Sequence, residues 1–549
     1  MKKKLLAGIL CAALAVSCAA CGSNGSTGDA QATKESTNEL TVATNVSVST
    51  MDSTLASDST SIWVLGNIQE GLYQLDENNV VQPALAKEMS VSDDGLTYTF
   101  KLRDDAKWSN GDPVTAGDFV YAWKRMADPA TASSNEWMME LAGIKNCGAI
   151  NQGQMDPSEL GVKAVDDTTL EVTLDAPCPY LTSILVFSGF FPLNEKFVTS
   201  EGDNYAKAAD KVLANGAYMI DSWDVGGNTI SIKKNPEYYD ADKVSIEEVN
   251  FRTIADKQEA AMAYDKGEVD YAQITGVLAD KYKDSDDLNY IQEGSVTMLM
   301  CNFDKPGLDN QNFREALGYA INRQELVDSV LKDGSSVIGG MVPAGLVSNS
   351  EGEDFRAFAG NFMETDKEKA KEYWEKAKEE TDVRTFTLLY DDGDTNAKVA
   401  AYIQSELEST LDGLTVELQA VPFKTRVDKM GDGDYEVCLM KWGPDYADPI
   451  TILSLYTPGN TNPNYSHWTS EEFSTLLADS NSLEYMDNEQ GRWDLLKQMD
   501  QLIVDEGASL PLYQVGSAVL QRSTIQNATY SMCGTAYHYK DMTIETAEK

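Results

Sequence analysis

Two histidines, His467 and His538, are all the imidazole that 549 residues offer, so a nucleophile–imidazole–carboxylate device has to rest on one of them. Neither stands in a recognisable motif. The chain carries no G-x-S-x-G, no H-E-x-x-H and no Walker-type glycine loop. So little imidazole also argues against a zinc or nickel site built from side chains. Carboxylates are abundant, 88 in all. The clusters Asp391-Asp392-Gly393-Asp394 and Asp432-Gly433-Asp434 touch on calcium chemistry, but neither keeps the spacing of an EF-hand loop, and turns between strands explain them better. A carboxylate-pair hydrolase stays open in principle, although no pair is singled out. The residues therefore predict no catalytic group, no metal and no cofactor, and point away from an enzyme.

The thiols lead to the compartment. Lys2, Lys3 and Lys4 precede an apolar run from Leu5 to Val16 that ends in small residues and Cys21, the pattern of a bacterial export signal. The run is shorter than the roughly 20 residues a membrane span needs. Cys21, after Ala19-Ala20 and before Gly22-Ser23, stands as a lipobox cysteine does, with Cys18 as a rival acceptor and plain cleavage after an alanine as the alternative. Residues 1–21 are thus expected to be a lipoprotein signal. Residues 22–38, rich in Gly, Ser, Thr and Asn, are expected to be a flexible tether to the outer face of the cell membrane. The five later cysteines, Cys147, Cys178, Cys301, Cys438 and Cys533, are odd in number and widely spaced, which excludes a complete disulfide framework. The formal charge of −44 repels nucleic acid and anionic headgroups and favours solubility.

About 510 residues remain after the tether, enough for two or three domains. Strands and helices alternate throughout, as in a mixed α/β protein. Strands are predicted at 40–43, 96–102, 170–174, 229–232, 385–390, 414–421 and 437–442, several of them beside Asp/Gly turn signals. Thr365 with Glu368 reads as a capping box before Ala370, Tyr373, Trp374 and Ala377, and Asn322 with Glu325 as another before Leu326, Val327, Val330 and Leu331.

The stretch Tyr98 to Ser133, YTFKLRDDAKWSNGDPVTAGDFVYAWKRMADPATAS, resembles the signature region of the family 5 solute-binding proteins, above all the oligopeptide binders. Family-like segments recur in order along the chain: Glu70-Gly71-Leu72, Asn215-Gly216-Ala217-Tyr218, Lys266 to Asp270, Phe313-Arg314-Glu315-Ala316-Leu317, Asn322-Arg323 and Trp442-Gly443-Pro444-Asp445-Tyr446. The resemblance implies a two-lobed periplasmic-binding-protein-like fold (type II, cluster C). One lobe is then 39–74 plus 203–300 plus 515–549, an extra peptide-binder domain 75–202, and the opposing lobe 301–514. It also implies a monomer that captures oligopeptides between the lobes and passes them to the permease subunits of an ABC importer. Dipeptides, nickel complexes, haem or oligosaccharides are alternative cargoes within the same fold, and a sensory role is an alternative to transport.

By the same resemblance Asp445, three residues after Trp442, meets the peptide α-ammonium. Lys441, Gly443 and the segment Ser57-Asp58-Ser59 correspond to strand pieces that pair with the peptide backbone, as in strand addition. Phe423 stands where relatives carry a pocket-lining Trp; core packing is an equal role for Phe423 and Trp442. Relatives can also place an Arg three residues before the motif Trp for the ligand carboxylate, where this chain has Leu439. Alternation puts Lys441 on the same face as Leu439 if no bulge intervenes.

Overall fold

Two strands far longer than the rest organise the protein, Leu288–Cys301 and Ser509–Gln521. In a computed structural model that describes residues 38–457 and 464–545, they pair antiparallel along their length. At about 3.4 Å per residue each is roughly 45 Å long, enough to pass through both halves of one mixed sheet. On one side the neighbours are, in order, Tyr271–Ile274, Glu39–Thr44, Glu248–Thr253, Thr229–Lys234 and Tyr218–Trp223. On the other they are Val437–Trp442, Thr385–Asp391 and Thr415–Val421. The pairing register shifts between Gln292 and Val296, so Glu293, Gly294 and Ser295 form an irregularity where one half gives way to the other. Such a bulge bends and twists a strand locally. The approach there is close, because a Cβ on Gly516 would lie 2.1 Å from the Gly334 carbonyl carbon.

A second, four-stranded sheet is built from Ala86–Val91, Thr97–Leu102, Thr169–Thr173 and Val162–Asp166. Thr97–Leu102 shows why it forms: Tyr98, Phe100 and Leu102 alternate onto the buried face, each worth about 1.5–3 kcal/mol of burial. Val437–Trp442 behaves differently. Its first four residues are all buried, as expected of a strand covered on both faces.

The predicted strands are all present within a residue or two at their ends. One cap differs. The helix Lys367–Glu380 is capped by Asp366, whose carboxylate accepts from the Glu368 and Lys369 amides at 3.1 and 3.0 Å, while the Thr365 hydroxyl donates to the Ile321 carbonyl at 2.8 Å. Asn322 caps its helix as read, accepting from the Glu325 amide at 3.1 Å. Residues Leu326–Leu331 then continue in wider π turns, which carry Val330 partly off the core face that Leu326, Val327 and Leu331 keep. The signature around Trp108 is core rather than surface. Its indole is buried and donates to Asp118 at 3.2 Å, and Asp118 also closes a capping box with Thr115 on the helix Ala116–Ala127.

All five described cysteines are buried free thiols, and burial pushes each up to about 12. Cys21 and the leader lie outside the described residues, as does the tether up to residue 37.

Candidate ligand-binding site

Strand Val437–Trp442 delivers the candidate residues to the middle of the sheet. It runs beside Leu288–Cys301 in unbroken antiparallel register, with Trp442 opposite Val296, Lys441 opposite Thr297 and Leu439 opposite Leu299. No bulge intervenes, so Lys441 does share a face with Leu439. Leu439 is sealed in the core, whereas Lys441 is exposed where the strand ends. The chain then turns through Gly443 and Pro444 against the sheet irregularity. A Cβ on Gly294 would come within 2.7 Å of the Pro444 ring and 2.9 Å of the Met532 carbonyl. Three segments thus converge there: the long strand, the 443–445 turn and the C-terminal run beyond Tyr530.

Asp445 sits at that convergence. Its amide donates to the Thr451 hydroxyl at 2.9 Å, which fixes the backbone, and burial alone raises its carboxyl to about 6. Among the described residues no cation offsets that burial. The nearby Cys533 thiol feels the charge. Three residues earlier, the Trp442 indole Nε1 is buried with no hydrogen-bond partner among the described residues. The Asp445 carboxyl is thus an acceptor without a cation, and the same turn region carries an unpaired donor.

Further along the face, Lys257 of the helix Lys257–Asp265 is held below the ordinary lysine range, first by burial and further by Lys441, against the opposing pull of Glu293 and Asp333. Lys441 and Lys257 therefore approach one another from the two halves of the sheet. The Glu293 carboxylate at the irregularity accepts from the Ser517 hydroxyl at 2.5 Å. None of Glu293, Gly294, Lys257 and Cys533 was among the ligand-binding candidates read from the sequence, although a glycine inside a strand pattern is a signal of close backbone approach.

The other candidates are placed apart. Ser57-Asp58-Ser59 is a turn into a helix rather than a strand. Asp58 caps Ser59–Ile68, accepting from the Ser61 amide at 2.8 Å, while Ser57 and Ser59 face solvent. Phe423 opens the helix Phe423–Gly431 in the same half as Trp442 and is 65% exposed, so it is no core residue. The Arg426 guanidinium lies 5.0 Å from its ring centre and is paired with Asp391 at 2.8 Å.

Comparison with known proteins places this geometry. The sequence profile of the bacterial extracellular solute-binding proteins, family 5, middle region, matches residues 80–464. The chain belongs to that family. A dipeptide-binding protein of Lactococcus lactis subsp. cremoris is 36% identical over 436 residues, 75% of this chain and 78% of the relative. The oligopeptide-binding protein OppA of Bacillus subtilis is 30% identical over 531 residues, covering 94% and 95%. The solved structure of Listeria monocytogenes OppA bound to peptide superposes with a TM-score of 0.72 at 35% identity, over 93% of this chain and 99% of that one. The fold of this family 5 protein is accordingly the two-lobed, type II periplasmic-binding-protein-like fold.

Proposed function

We propose that this protein is an exported, lipid-anchored receptor that captures oligopeptides between its lobes and delivers them to the permease of an ABC importer, without doing chemistry on them. Asp445 carries the reading. A carboxylate drawn out of water with no counter-cation is costly to the empty protein, and the α-ammonium is the one cation that every unblocked peptide brings. At ~4 Å and an effective dielectric near 20 such a pair gains about 4 kcal/mol before desolvation. Lys441 and Gly443 would add main-chain pairing at the open strand end, and Phe423 and Ser57 an aromatic and a polar edge. The peptide-binding relatives support the cargo class.

In this reading 39–74, 203–300 and 515–549 form one lobe, 75–202 its extra domain and 301–514 the other lobe, with the long strands as hinge. Contacts made only when the lobes meet around a ligand shift the population to the closed form. The protein acts as a monomer, with no metal, cofactor or nucleic acid, tethered through Cys21.

A synthetic pool of unblocked six-residue peptides tests the site. It is expected to bind about a hundredfold tighter than the same pool acetylated at its N-termini, as read by calorimetric titration; equal binding of both pools rules out Asp445 as an ammonium site. For the anchor, mass spectrometry of the N-terminal peptide is expected to find diacylglycerol on Cys21, and an unmodified thiol there would remove the tether from the account.

A further inference from the structure

The turn that carries Asp445 is gripped by another part of the chain. Tyr446, the next residue, is buried, and its ring stacks on that of Tyr180 with centroids 5.6 Å apart and planes only 7° from parallel. Tyr180 follows the four-stranded sheet and precedes the short helix Leu181–Ile184, so it belongs to the segment that inserts between strands of the main sheet. The Arg492 guanidinium lies 5.3 Å from the same Tyr180 ring. It is held by two hydrogen bonds to Asp448, at 2.6 and 2.9 Å, and donates to the Ser480 carbonyl at 3.1 Å. Asp448 is three residues beyond Asp445. Thus residues 445, 446 and 448 of one turn divide their work: the first offers a carboxylate, and the other two, with Arg492, hold Tyr180.

We propose that Tyr180 is a positioning residue for the ligand: by docking on Tyr446 and Arg492 it couples occupation of Asp445 to closure of the inserted domain over the 442–448 turn. The proposal rests on the peptide reading of Asp445. The physical argument is geometric. A flat ring clasped by a second ring and an immobilised guanidinium has one well-defined docked position, and the backbone of Asp445 is directly continuous with one jaw. A ligand ammonium that fixes Asp445 also fixes Tyr446, which lowers the entropic cost of docking Tyr180. Docking in turn holds the turn in the shape that receives the ammonium, so each event favours the other.

The test compares wild-type protein, Tyr180→Phe and Tyr180→Leu, using the unblocked six-residue pool as probe and reading both affinity and the ligand-induced change in radius of gyration by solution scattering. Tyr180→Phe keeps the stacked ring and is expected to match wild type in both. Tyr180→Leu is expected to bind about tenfold more weakly and to lose the ligand-induced compaction, while its melting point without ligand stays within a few degrees of wild type. A purely structural role would lower the ligand-free melting point and leave compaction intact. Should Tyr180→Leu not fold, Tyr446→Leu removes the other ring and is read the same way. Wild-type affinity and compaction in the leucine variant overturn the clasp while leaving the peptide reading standing; a wild-type protein that ignores the pool overturns both.

Discussion

Asp445→Asn is expected to stabilise the empty protein at neutral pH while weakening unblocked peptides about a hundredfold or more. Both effects have one cause. Burial raises the folded carboxyl to about 6, against about 3.9 for an aspartate in an unfolded chain. Between those values the folded protein holds a proton that the unfolded chain has released. Stability is therefore greatest at or below pH ~4, falls as the pH climbs towards 6, and stays lower beyond it. With allowance for the residue's partial exposure, the penalty at pH 7 is about 2 kcal/mol. Asparagine, close in shape and uncharged, removes the penalty, so its melting point should exceed wild type at pH 7 and meet it near pH 4. Affinity runs the other way with pH. The ammonium needs the ionised carboxylate, so wild-type affinity should fall about tenfold between pH 7 and pH 5, and the asparagine variant should show no such fall. Melting curves and titrations at pH 4, 5 and 7 check all of this. A lower melting point for the variant at pH 7, or peptide affinity within twofold of wild type, would sink the assignment.

The sequence signals that proved readable were the local ones. Alternation in Thr97–Leu102 and the wholly apolar run opening Val437–Trp442 identify strands because burial there follows directly from side-chain period. Caps were readable to within a residue: Thr365 and Asp366 are both capable cap residues, and tertiary contact decided between them by drawing the Thr365 hydroxyl to Ile321. The segments that carry the family resemblance turn out to bond to one another and to the surrounding core. Asn215 brackets Glu70 through its main chain at 3.0 and 3.1 Å, the Glu70 carboxylate accepts from Tyr238 and Tyr239 at 2.6 and 2.7 Å, and Arg314 donates to the Leu308 and Glu506 carbonyls. They specify the scaffold, which is why they identify the fold better than the cargo. The remainder of the site was not legible for an equally physical reason. The proximity of Cys533 to Asp445, the Lys257–Lys441 approach and the Tyr180–Tyr446 stack each join residues far apart in sequence, and nothing in the local pattern of a lone tyrosine or lysine distinguishes a clasp from a surface.

Arg492→Met should destabilise the protein by about 3–5 kcal/mol, a large loss for a single side chain. The arginine and its partner Asp448 are almost fully buried, so removing the guanidinium leaves a carboxylate in a place water does not reach. The remaining bond to Asp448, from the Ile450 amide at 3.0 Å, is too weak to offset that. The double variant Arg492→Met with Asp448→Leu should recover much of the loss, since neither charge is then stranded, but not all of it: the Ile450 amide and the Ser480 carbonyl lose their partners at about 1 kcal/mol each. A pair of comparable length on the surface provides the contrast. Lys424 and Asp428 meet at 2.9 Å on an exposed helix face, and Lys424→Met should change stability by less than about 0.5 kcal/mol. Chemical denaturation of the four proteins decides between burial and contact distance as the source of the effect. If Arg492→Met costs no more than Lys424→Met, the pair behind the ligand turn is not the desolvated clamp that its geometry describes, and the turn must owe its shape to the Thr451 and Gly294 contacts alone.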